Sequence, residues 1–340
     1  MGNVVSANVG QAPARQASKG AGLPDTVCAT TINKVCASGM KAIMYGLQSV
    51  QLGHHDIVVA GGMESMSNAP YYIPSGRYGA RYGHGQYVDG LIKDGLWDPY
   101  NDIHMGLCAE KTAADYKITR AEQDEFAAMS YRRSKAASDA GLFTNEIIGV
   151  PVKIKGKDTT VTVDEQFKDV DFAKIPTLRA AFKKDGTVTA ANASKLNDGA
   201  AALIIMSADK AKALGLKPIA RVRGYADAEH APIDFPTAPA KAVPLALQRA
   251  GITAKDAQYH EINEAFSVVA LANSKLLNLD INTVNVHGGA VALGHPIGCS
   301  GARIVTTLIN VLKAKDATLG TASICNGGGG GSAIVIERLQ

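Results

Sequence analysis

The two ends of the chain carry the same succession of features, and this internal repeat constrains the fold more than any other pattern. Near the N-terminus a Ser-Gly pair at Ser38 opens an amphipathic helix, and a glycine separates that helix from the apolar segment 57–60. Near the C-terminus a Ser-Gly pair at Ser300 opens a second helix, and a glycine precedes the apolar segment 322–325. Glycines follow both segments. Two copies of one helix–strand unit predict a duplicated α/β fold with buried sheets.

The composition is that of a globular protein and excludes several classes. The 340 residues are 46% hydrophobic and 19% charged, which allows a large core and two or three structural units. The net charge is +4 without a long run of like charges, so nothing supports nucleic-acid binding. The sequence contains no apolar stretch long enough to span a membrane, and its start resembles neither a signal peptide nor a transit segment.

The cysteines are few, odd in number and not paired in Cys-x-x-Cys motifs, which argues against a disulfide framework and against zinc. They are Cys28, Cys36, Cys108, Cys299 and Cys325. A reducing compartment is expected. Cys36 lies at the predicted start of the first repeated helix, where free N–H groups favour a negative charge, so its pKa is predicted to fall from about 8.5 to roughly 3.5–7.5. Taken alone, Cys36 is explained equally well as a small core residue.

A different kind of sequence separates the two repeated units. Segment 67–101 is rich in Gly, Pro and Tyr and is predicted to form a lid or a subunit contact. A helix with body 126–137 follows, and a capping box begins it at Thr119. The apolar segment 200–206 is predicted to be a strand that closes the first half, and segment 221–225 is predicted to open the second.

Three further elements carry reactive groups. His295 lies on a glycine-flanked turn before a helix, Cys325 precedes a glycine run that starts at Gly327, and Asn263 precedes an apolar helix. A cysteine nucleophile, a histidine base and a second cysteine suit covalent acyl transfer. The amides of Gly327 and Cys36 would hold an oxyanion, at about 2.7–4 kcal/mol per donor. Each element alone also has a simpler explanation, as a turn histidine, a flexible connector or a helix cap.

Five linked blocks resemble the thiolase family in residue type, order and spacing. They are segments 33–39, 61–67, 263–266, 294–298 and 325–330. His104 and Met105 also match the pantetheine-loop motif of the short-chain members, and the similarity is greatest to short-chain (acetoacetyl-CoA) thiolases of the mitochondrial type. The similarity runs through essentially the whole chain.

The resemblance implies a duplicated thiolase fold, in which two related α/β halves pack as a layered α/β/α/β/α sandwich with an inserted loop domain. The implied domains are 1–66 plus 197–216 for the first half, 67–196 for the loop domain and 217–340 for the second half. Family members carry a further strand and helix before the equivalent of Met1, so these elements are apparently missing and an unpaired sheet edge is expected. A homotetramer is also implied.

The resemblance further assigns roles to individual residues. Cys36 would be the acylated nucleophile, His295 its activator, Cys325 the acid/base, Asn263 the holder of a catalytic water, and Gly327 an oxyanion donor. The implied substrate contacts are Tyr131, Val170, Asp171, Lys174 and Ser194 for coenzyme A, and His104 and Met105 near the acyl group. The implied potassium ligands are Tyr131, Ala190, Ala191, Ala193 and Val291. Asp169 stands where members carry Arg, which implies altered recognition of the nucleotide end.

The implied reaction is the reversible condensation of two acetyl-CoA molecules to acetoacetyl-CoA and coenzyme A. It requires no tightly bound organic cofactor. Two alternatives stay open: a 3-ketoacyl-CoA thiolase of broader chain length, and a truncated acyl-CoA-binding relative without activity. The sequence argues against a hydrolase, because segment 298–301 is not Gly-x-Ser-x-Gly, and against a dehydrogenase, because the glycine run is not Gly-x-Gly-x-x-Gly. A mitochondrial location is implied by the resemblance, with the cytoplasm as the alternative.

Overall fold

The computed structural model of the chain describes residues 1–168 and 170–339. The α-helices of this part are α1 Pro13–Gly20, α2 Ser38–Gln51, α3 Met105–Asp115, α4 Arg120–Asp139, α5 Ala208–Ala213, α6 Pro239–Ala250, α7 Ser267–Leu276, α8 Ala290–Leu293 and α9 Ile297–Ala314. The strands are β1 Ile57–Ser65, β2 Tyr71–Tyr72, β3 Val88–Asp89, β4 Trp97–Asp98, β5 Ile103–His104, β6 Val150–Ile154, β7 Lys157–Val161, β8 Asp198–Met206, β9 Ala220–Glu229, β10 Tyr259–Ile262, β11 Leu319–Asn326 and β12 Gly330–Arg338.

The first sheet pairs β1 with β8 in antiparallel register, from Ile57–Met206 to Ser65–Asp198. The strand predicted at 200–206 is therefore confirmed. Gly2 adds parallel bridges to Gly62 and to Ile32 at the edge of this sheet. One face of this sheet is buried along the middle of β1 and partly buried along β8, whereas the other face leaves Val59 and Ile204 exposed at 45% and 68%.

The second sheet has the strand order β10-β11-β12-β9. The β10/β11 pair is parallel, and the other two pairs are antiparallel. Strand β9 confirms the predicted strand at 221–225. Strand β12 was not among the predicted strands, although its fully buried core 333–336 is a continuous apolar run of the kind found in buried strands. Helix α6 covers one face of this sheet against β9 and β12.

Helices α2 and α9 form a central layer between the two sheets, since α9 packs against strands of both sheets and against α2. The crossing depends on the two glycines of the repeat. A Cβ atom on Gly39 would lie 2.9 Å from the amide nitrogen of Ala302, and one on Gly301 would lie 2.6 Å from the amide nitrogen of Met40. Only glycine allows the two backbones to touch there. The reciprocal contact confirms the predicted duplication and places the two helix starts side by side.

The region between the halves contains α3, α4 and the small hairpins β2–β3, β4–β5 and β6–β7. Thr119 caps α4 with the predicted capping box, in which the Glu122 carboxylate accepts from the Thr119 amide at 2.6 Å. The aromatic segment 67–101 exposes several tyrosines: Tyr71, Tyr78, Tyr82, Tyr87 and Tyr100. Within the described residues, no helix is both long and apolar enough to cross a membrane.

Candidate active site

Cys36 lies directly before α2, as predicted, because Ala37 is the N-terminal cap of that helix. The amides of Gly327 and of Cys36 itself donate to the thiol and lower its pKa, but burial raises it to about 12, and nearby Glu64 adds to the rise. The residue is only 4% exposed. The prediction of a lowered Cys36 pKa is therefore wrong: the helix start supplies hydrogen-bond donors, and the loss of water around a buried thiolate outweighs them.

The backbone before Cys36 is strained. Val35 has a φ of 49°, in the left-handed region that disfavours a β-branched residue. Ser38 holds this turn, because its hydroxyl donates to the carbonyl of Val35 at 2.6 Å and accepts from the amide of Lys34 at 2.8 Å. Strain of this kind is retained where the surroundings fix the conformation, commonly at reactive sites. The Ser38 hydrogen bonds therefore hold the turn that leads into Cys36.

Cys325 is the second-last residue of β11 and is fully buried. Burial raises its pKa well above the ordinary value, and the nearby Cys36 raises it further. The structure therefore brings the two sulfurs into one site. Gly327 closes the same site, since a Cβ atom there would overlap the terminal methyl of Met105 and lie 3.6 Å from a methyl of Val35. Met105 of the predicted pantetheine motif thus lies against the sulfur group.

His295 is held by Ser300, whose sequence pattern predicts only a helix start. The distance between Nδ1 and the Ser300 hydroxyl is 2.6 Å, and that hydroxyl donates to the carbonyl of Pro296 at 3.0 Å. A hydroxyl has one hydrogen to donate, so it accepts from Nδ1–H, and Nε2 carries no proton. Burial lowers the pKa of His295 to about 3, with a smaller effect from Arg303. The imidazole is neutral, with Nε2 free to take a proton.

Asn263 joins the imidazole. Its Nδ2 lies 3.5 Å from Nε2 of His295, and its amide donates to the carbonyl of Ser323 at 2.9 Å. The buried Oδ1 of Asn263 has no partner among the described residues, which leaves an acceptor for a water or a substrate. Ser323 and Cys325 belong to the same strand. Strand β11 therefore connects the His295–Asn263 pair to the two cysteines.

The predicted coenzyme A contacts lie around α4. Tyr131 is only 3% exposed and packs with Phe167 and Val170, so it is not a helix-surface residue. Asp171 and Lys174 are exposed and form an ion pair at 3.2 Å. The amide of Ser194 donates to the carbonyl of Ala265 at 3.1 Å, beside the Asn263 segment. His104 stacks on Phe182 with ring centroids 4.6 Å apart. Asp169 lies outside the described residues.

A lysine contacts one of the residues predicted to bind potassium. Lys195 donates from Nζ to the carbonyl of Ala190, and this nitrogen lies 6.0 Å from the ring centroid of Tyr131. Burial lowers the pKa of Lys195. A potassium ion on the same carbonyl would face a like charge, which is unfavourable in a partly buried place. The potassium site stays a prediction: Lys195, which no sequence pattern singled out, places a cation on one of its five implied ligands.

The remaining predicted ligands are part of the same framework. Ala193 forms an antiparallel bridge with Phe266. Val291 is fully buried in α8, and its amide donates to the Glu264 carboxylate at 3.0 Å. The hydroxyl of Tyr131 donates to the carbonyl of Ala191 at 3.4 Å. Among the described residues, no group of His, Cys, Asp and Glu forms a further candidate metal site.

Known proteins are similar to this chain over its whole length. Residues 1–209 match the family described as thiolase, N-terminal domain, and residues 216–338 match thiolase, C-terminal domain. The chain is 58% identical over 341 residues to the mitochondrial acetyl-CoA acetyltransferase of Rattus norvegicus, covering 100% of this chain and 80% of the relative. It is 57% identical over 343 residues to a cytosolic acetyl-CoA acetyltransferase of Gibberella zeae, covering 100% and 86%.

A solved structure agrees with these relatives. The crystal structure of Acat5 thiolase from Ascaris suum in complex with coenzyme A has a TM-score of 0.93 and 50% sequence identity, covering 99% of this chain and 86% of that chain. The fold, the two family matches and the full-length identities agree with one another. The chain belongs to the thiolase family.

Proposed function

We propose that the chain is an acetyl-CoA C-acetyltransferase, which condenses two acetyl-CoA molecules reversibly to acetoacetyl-CoA and coenzyme A. The observation that carries the proposal is the convergence of Cys36, Cys325 and Gly327 at one end of β11, with the His295–Asn263 pair attached to the same strand. The activity named for the rat and Gibberella relatives supports it.

The first half-reaction transfers an acetyl group to Cys36. The sulfur attacks the thioester carbonyl of acetyl-CoA while its proton passes to Nε2 of His295, and the amides of Cys36 and Gly327 bind the oxyanion. Because burial raises the thiol pKa, proton transfer accompanies the attack instead of preceding it. The departing coenzyme A sulfur takes the proton of Cys325. This leaves acetyl-Cys36, a protonated His295 and a Cys325 thiolate.

The second half-reaction forms the carbon–carbon bond. The Cys325 thiolate removes a proton from the methyl group of a second acetyl-CoA, and the enolate oxygen is held by Nε2–H of His295 and by a water on Asn263. The carbanion attacks the acetyl carbon on Cys36 and releases acetoacetyl-CoA. The expelled Cys36 sulfur takes back the proton from His295, so all three groups return to the neutral forms that their burial favours.

Short acyl groups are the proposed substrates. Met105 fills the space against Gly327, next to the reacting sulfurs, which limits the room for a longer chain. In the proposed loop domain 67–196, the coenzyme A contacts are Tyr131, Val170, Asp171, Lys174 and Ser194, with His104 beside Met105. The halves 1–66 plus 197–216 and 217–340 provide the reacting groups. The broader-chain thiolase is the second candidate, and the relative rates on acetoacetyl-CoA and longer 3-ketoacyl-CoA substrates distinguish the two.

Assembly and location follow as finer parts of the proposal. The exposed tyrosines of segment 67–101 support a subunit contact, and a homotetramer is proposed. Light scattering of the purified chain measures the assembly directly. A mitochondrial location is proposed from the rat relative, with the cytosol as the alternative from the Gibberella relative.

Thiolysis of acetoacetyl-CoA by two cysteine variants tests the activity. Cys36→Ala removes the nucleophile and is expected to lower kcat/KM on the order of 10⁴-fold or more. Cys28→Ala is the matched control, because Cys28 is exposed and outside the site, and it should retain wild-type rates. Turnover by Cys36→Ala, or no activity in the wild-type chain, would contradict the proposal; the latter would favour the non-catalytic alternative.

A further inference from the structure

A lysine lies beside two of the residues for which the family resemblance implied a metal ion. Lys195 is half-buried, and its Nζ donates to the Ala190 carbonyl while lying 6.0 Å from the ring centroid of Tyr131. Both of those residues belong to the implied potassium ligands. The Tyr131 hydroxyl in turn donates to the carbonyl of Ala191 at 3.4 Å. A positive charge carried by the chain itself therefore lies on one of these carbonyls and beside the Tyr131 ring.

We propose that the ammonium group of Lys195 is a tethered cation that replaces potassium in this chain, so that the enzyme needs no added monovalent ion. An ammonium ion and a potassium ion carry the same charge, and both bind carbonyl oxygens. At an effective dielectric constant of about 20, two unit charges ~4 Å apart repel enough to weaken binding of the second roughly a thousandfold. The tethered charge therefore excludes the free ion.

The segment that carries Lys195 contacts His295 and also the residues that follow Asn263 in the chain. The carbonyl of Lys195 accepts from the amide of His295 at 3.1 Å. The amide of Ser194 donates to the Ala265 carbonyl at 3.1 Å, and the Asn192 carbonyl accepts from the amide of Ser267 at 2.8 Å, on either side of the segment that begins at Asn263. A cation on the Ala190 carbonyl therefore fixes the segment that orients His295. Lys195 is a positioning residue, and this role rests on the function proposed for His295.

The test compares wild type, Lys195→Ala and Lys184→Ala in buffers of equal ionic strength containing choline, sodium, potassium or ammonium. Lys184 is exposed and outside the site, so its variant is the control. Thermal unfolding and kcat/KM are both measured. Wild type and Lys184→Ala are expected to show the same values with choline and with potassium. Lys195→Ala is expected to lose roughly fivefold or more of its kcat/KM in choline, the size of a typical coupling between sites.

Chemical rescue by an added cation distinguishes a role of the ammonium charge from a merely structural role of the side chain. Potassium or ammonium should restore the rate of Lys195→Ala and raise its melting temperature, since a ligand that binds only the folded state stabilises it. Lys195→Met, whose side chain fills the space without a charge, should lose activity without rescue. These results concern ion dependence, so they are distinct from the loss of all activity in Cys36→Ala that tests the reaction itself.

Two results would overturn the inference. Activation or thermal stabilisation of the wild-type chain by potassium relative to choline would show that the free ion binds despite Lys195. A Lys195→Ala protein with the wild-type rate in choline and no response to potassium would show that the ammonium group does not position the site. The wild-type measurement stands alone if the variants fail to fold.

Discussion

The starts of α2 and α9 are copies of one design with different chemistry. Each has a Ser-Gly pair, and each serine hydroxyl donates to a carbonyl of the preceding turn, Ser38 at 2.6 Å and Ser300 at 3.0 Å. Ser38 accepts from a backbone amide, whereas Ser300 accepts from the imidazole of His295. The first serine therefore holds the strained turn before the nucleophile, and the second sets the tautomer of the base. The two helix starts are therefore similar in backbone, and the residue that bonds to each serine hydroxyl determines its role.

Burial acts on the two starts in opposite directions and leaves both neutral. It raises the pKa of Cys36 to about 12 and lowers that of His295 to about 3, because in each case the charged form loses its water. A preformed thiolate–imidazolium pair is thus disfavoured in the free enzyme. In the proposed mechanism, the charges appear only as the substrate reacts, when the oxyanion donors and His295 can stabilise them.

Substitutions where α2 and α9 cross have the largest expected effect on stability. Gly301→Ala places a Cβ atom 2.6 Å from the amide nitrogen of Met40, and the helix backbones must separate. We expect a loss of about 3 kcal/mol in the free energy of unfolding, the upper end of overpacking costs. Gly39→Ala, with its closest backbone atom at 2.9 Å, should lose less. Urea unfolding measures both.

Gly20→Ala is the control for the crossing, because a Cβ atom there meets nothing within 4 Å. Its stability should stay close to that of the wild type. If Gly301→Ala were as stable as this control, the close approach of the two helices would be refuted.

Alanine substitutions of the two serines should have different effects, one on catalysis and the other on stability. Ser300→Ala leaves Nδ1 of His295 without its acceptor and loosens the tautomer, so we expect kcat to fall roughly 10–100-fold, the size of a general-base contribution that is partly lost. Ser38→Ala removes two contacts of the Val35 turn and should mainly lower stability, by about 1 kcal/mol. Ser300→Thr keeps the hydroxyl and should rescue the rate. Equal kinetic losses in both alanine variants would contradict the assigned difference.

The histidines of the two halves differ in burial and therefore in their effect on acid stability. Burial lowers the pKa of His260 in the second half from 6.5 to about 4. Between these pH values the unfolded chain binds a proton that the folded chain does not, so stability falls as the pH drops, by at most about 1.4 kcal/mol per pH unit. His260→Gln removes this titration and should flatten that pH dependence relative to the wild type.

His54→Gln is the control for this titration, since His54 in the first half is exposed. It should leave the acid sensitivity unchanged. The free energy of unfolding, measured by urea denaturation between pH 6.5 and pH 4, decides the matter. An unchanged slope in His260→Gln would mean that this imidazole takes up its proton in the folded state.

Local patterns predicted the parts of the fold that local physics determines. Helical spacing placed Cys36 at a helix start, the capping box at Thr119 began α4, and the apolar run 200–206 formed β8. The family resemblance named the reactive groups, and the structure brings the sulfurs to one end of β11 and His295 to Asn263. These features depend on residues that are close in sequence or on fixed motifs.

Properties that depend on depth and on distant contacts could not be predicted in this way. Spacing shows that Cys36 begins a helix, but the direction of its pKa shift depends on burial among residues from both ends of the chain. The contact of Lys195 with the Ala190 carbonyl likewise depends on the path of a loop. The role of Ser300 required the His295 ring orientation, which a sequence does not contain.

The division of labour between the two sulfurs is the central claim, and acetyl mapping on Cys325→Ala tests it most directly. The variant is incubated with acetyl-CoA and digested, and each cysteine peptide is examined by mass spectrometry. We expect one acetyl group per chain, on Cys36 alone, with no acetoacetyl-CoA formed, because Cys36 can still attack the thioester and the base that deprotonates the second substrate is lost. Condensation by this variant, or acetyl groups on another cysteine, would contradict the account.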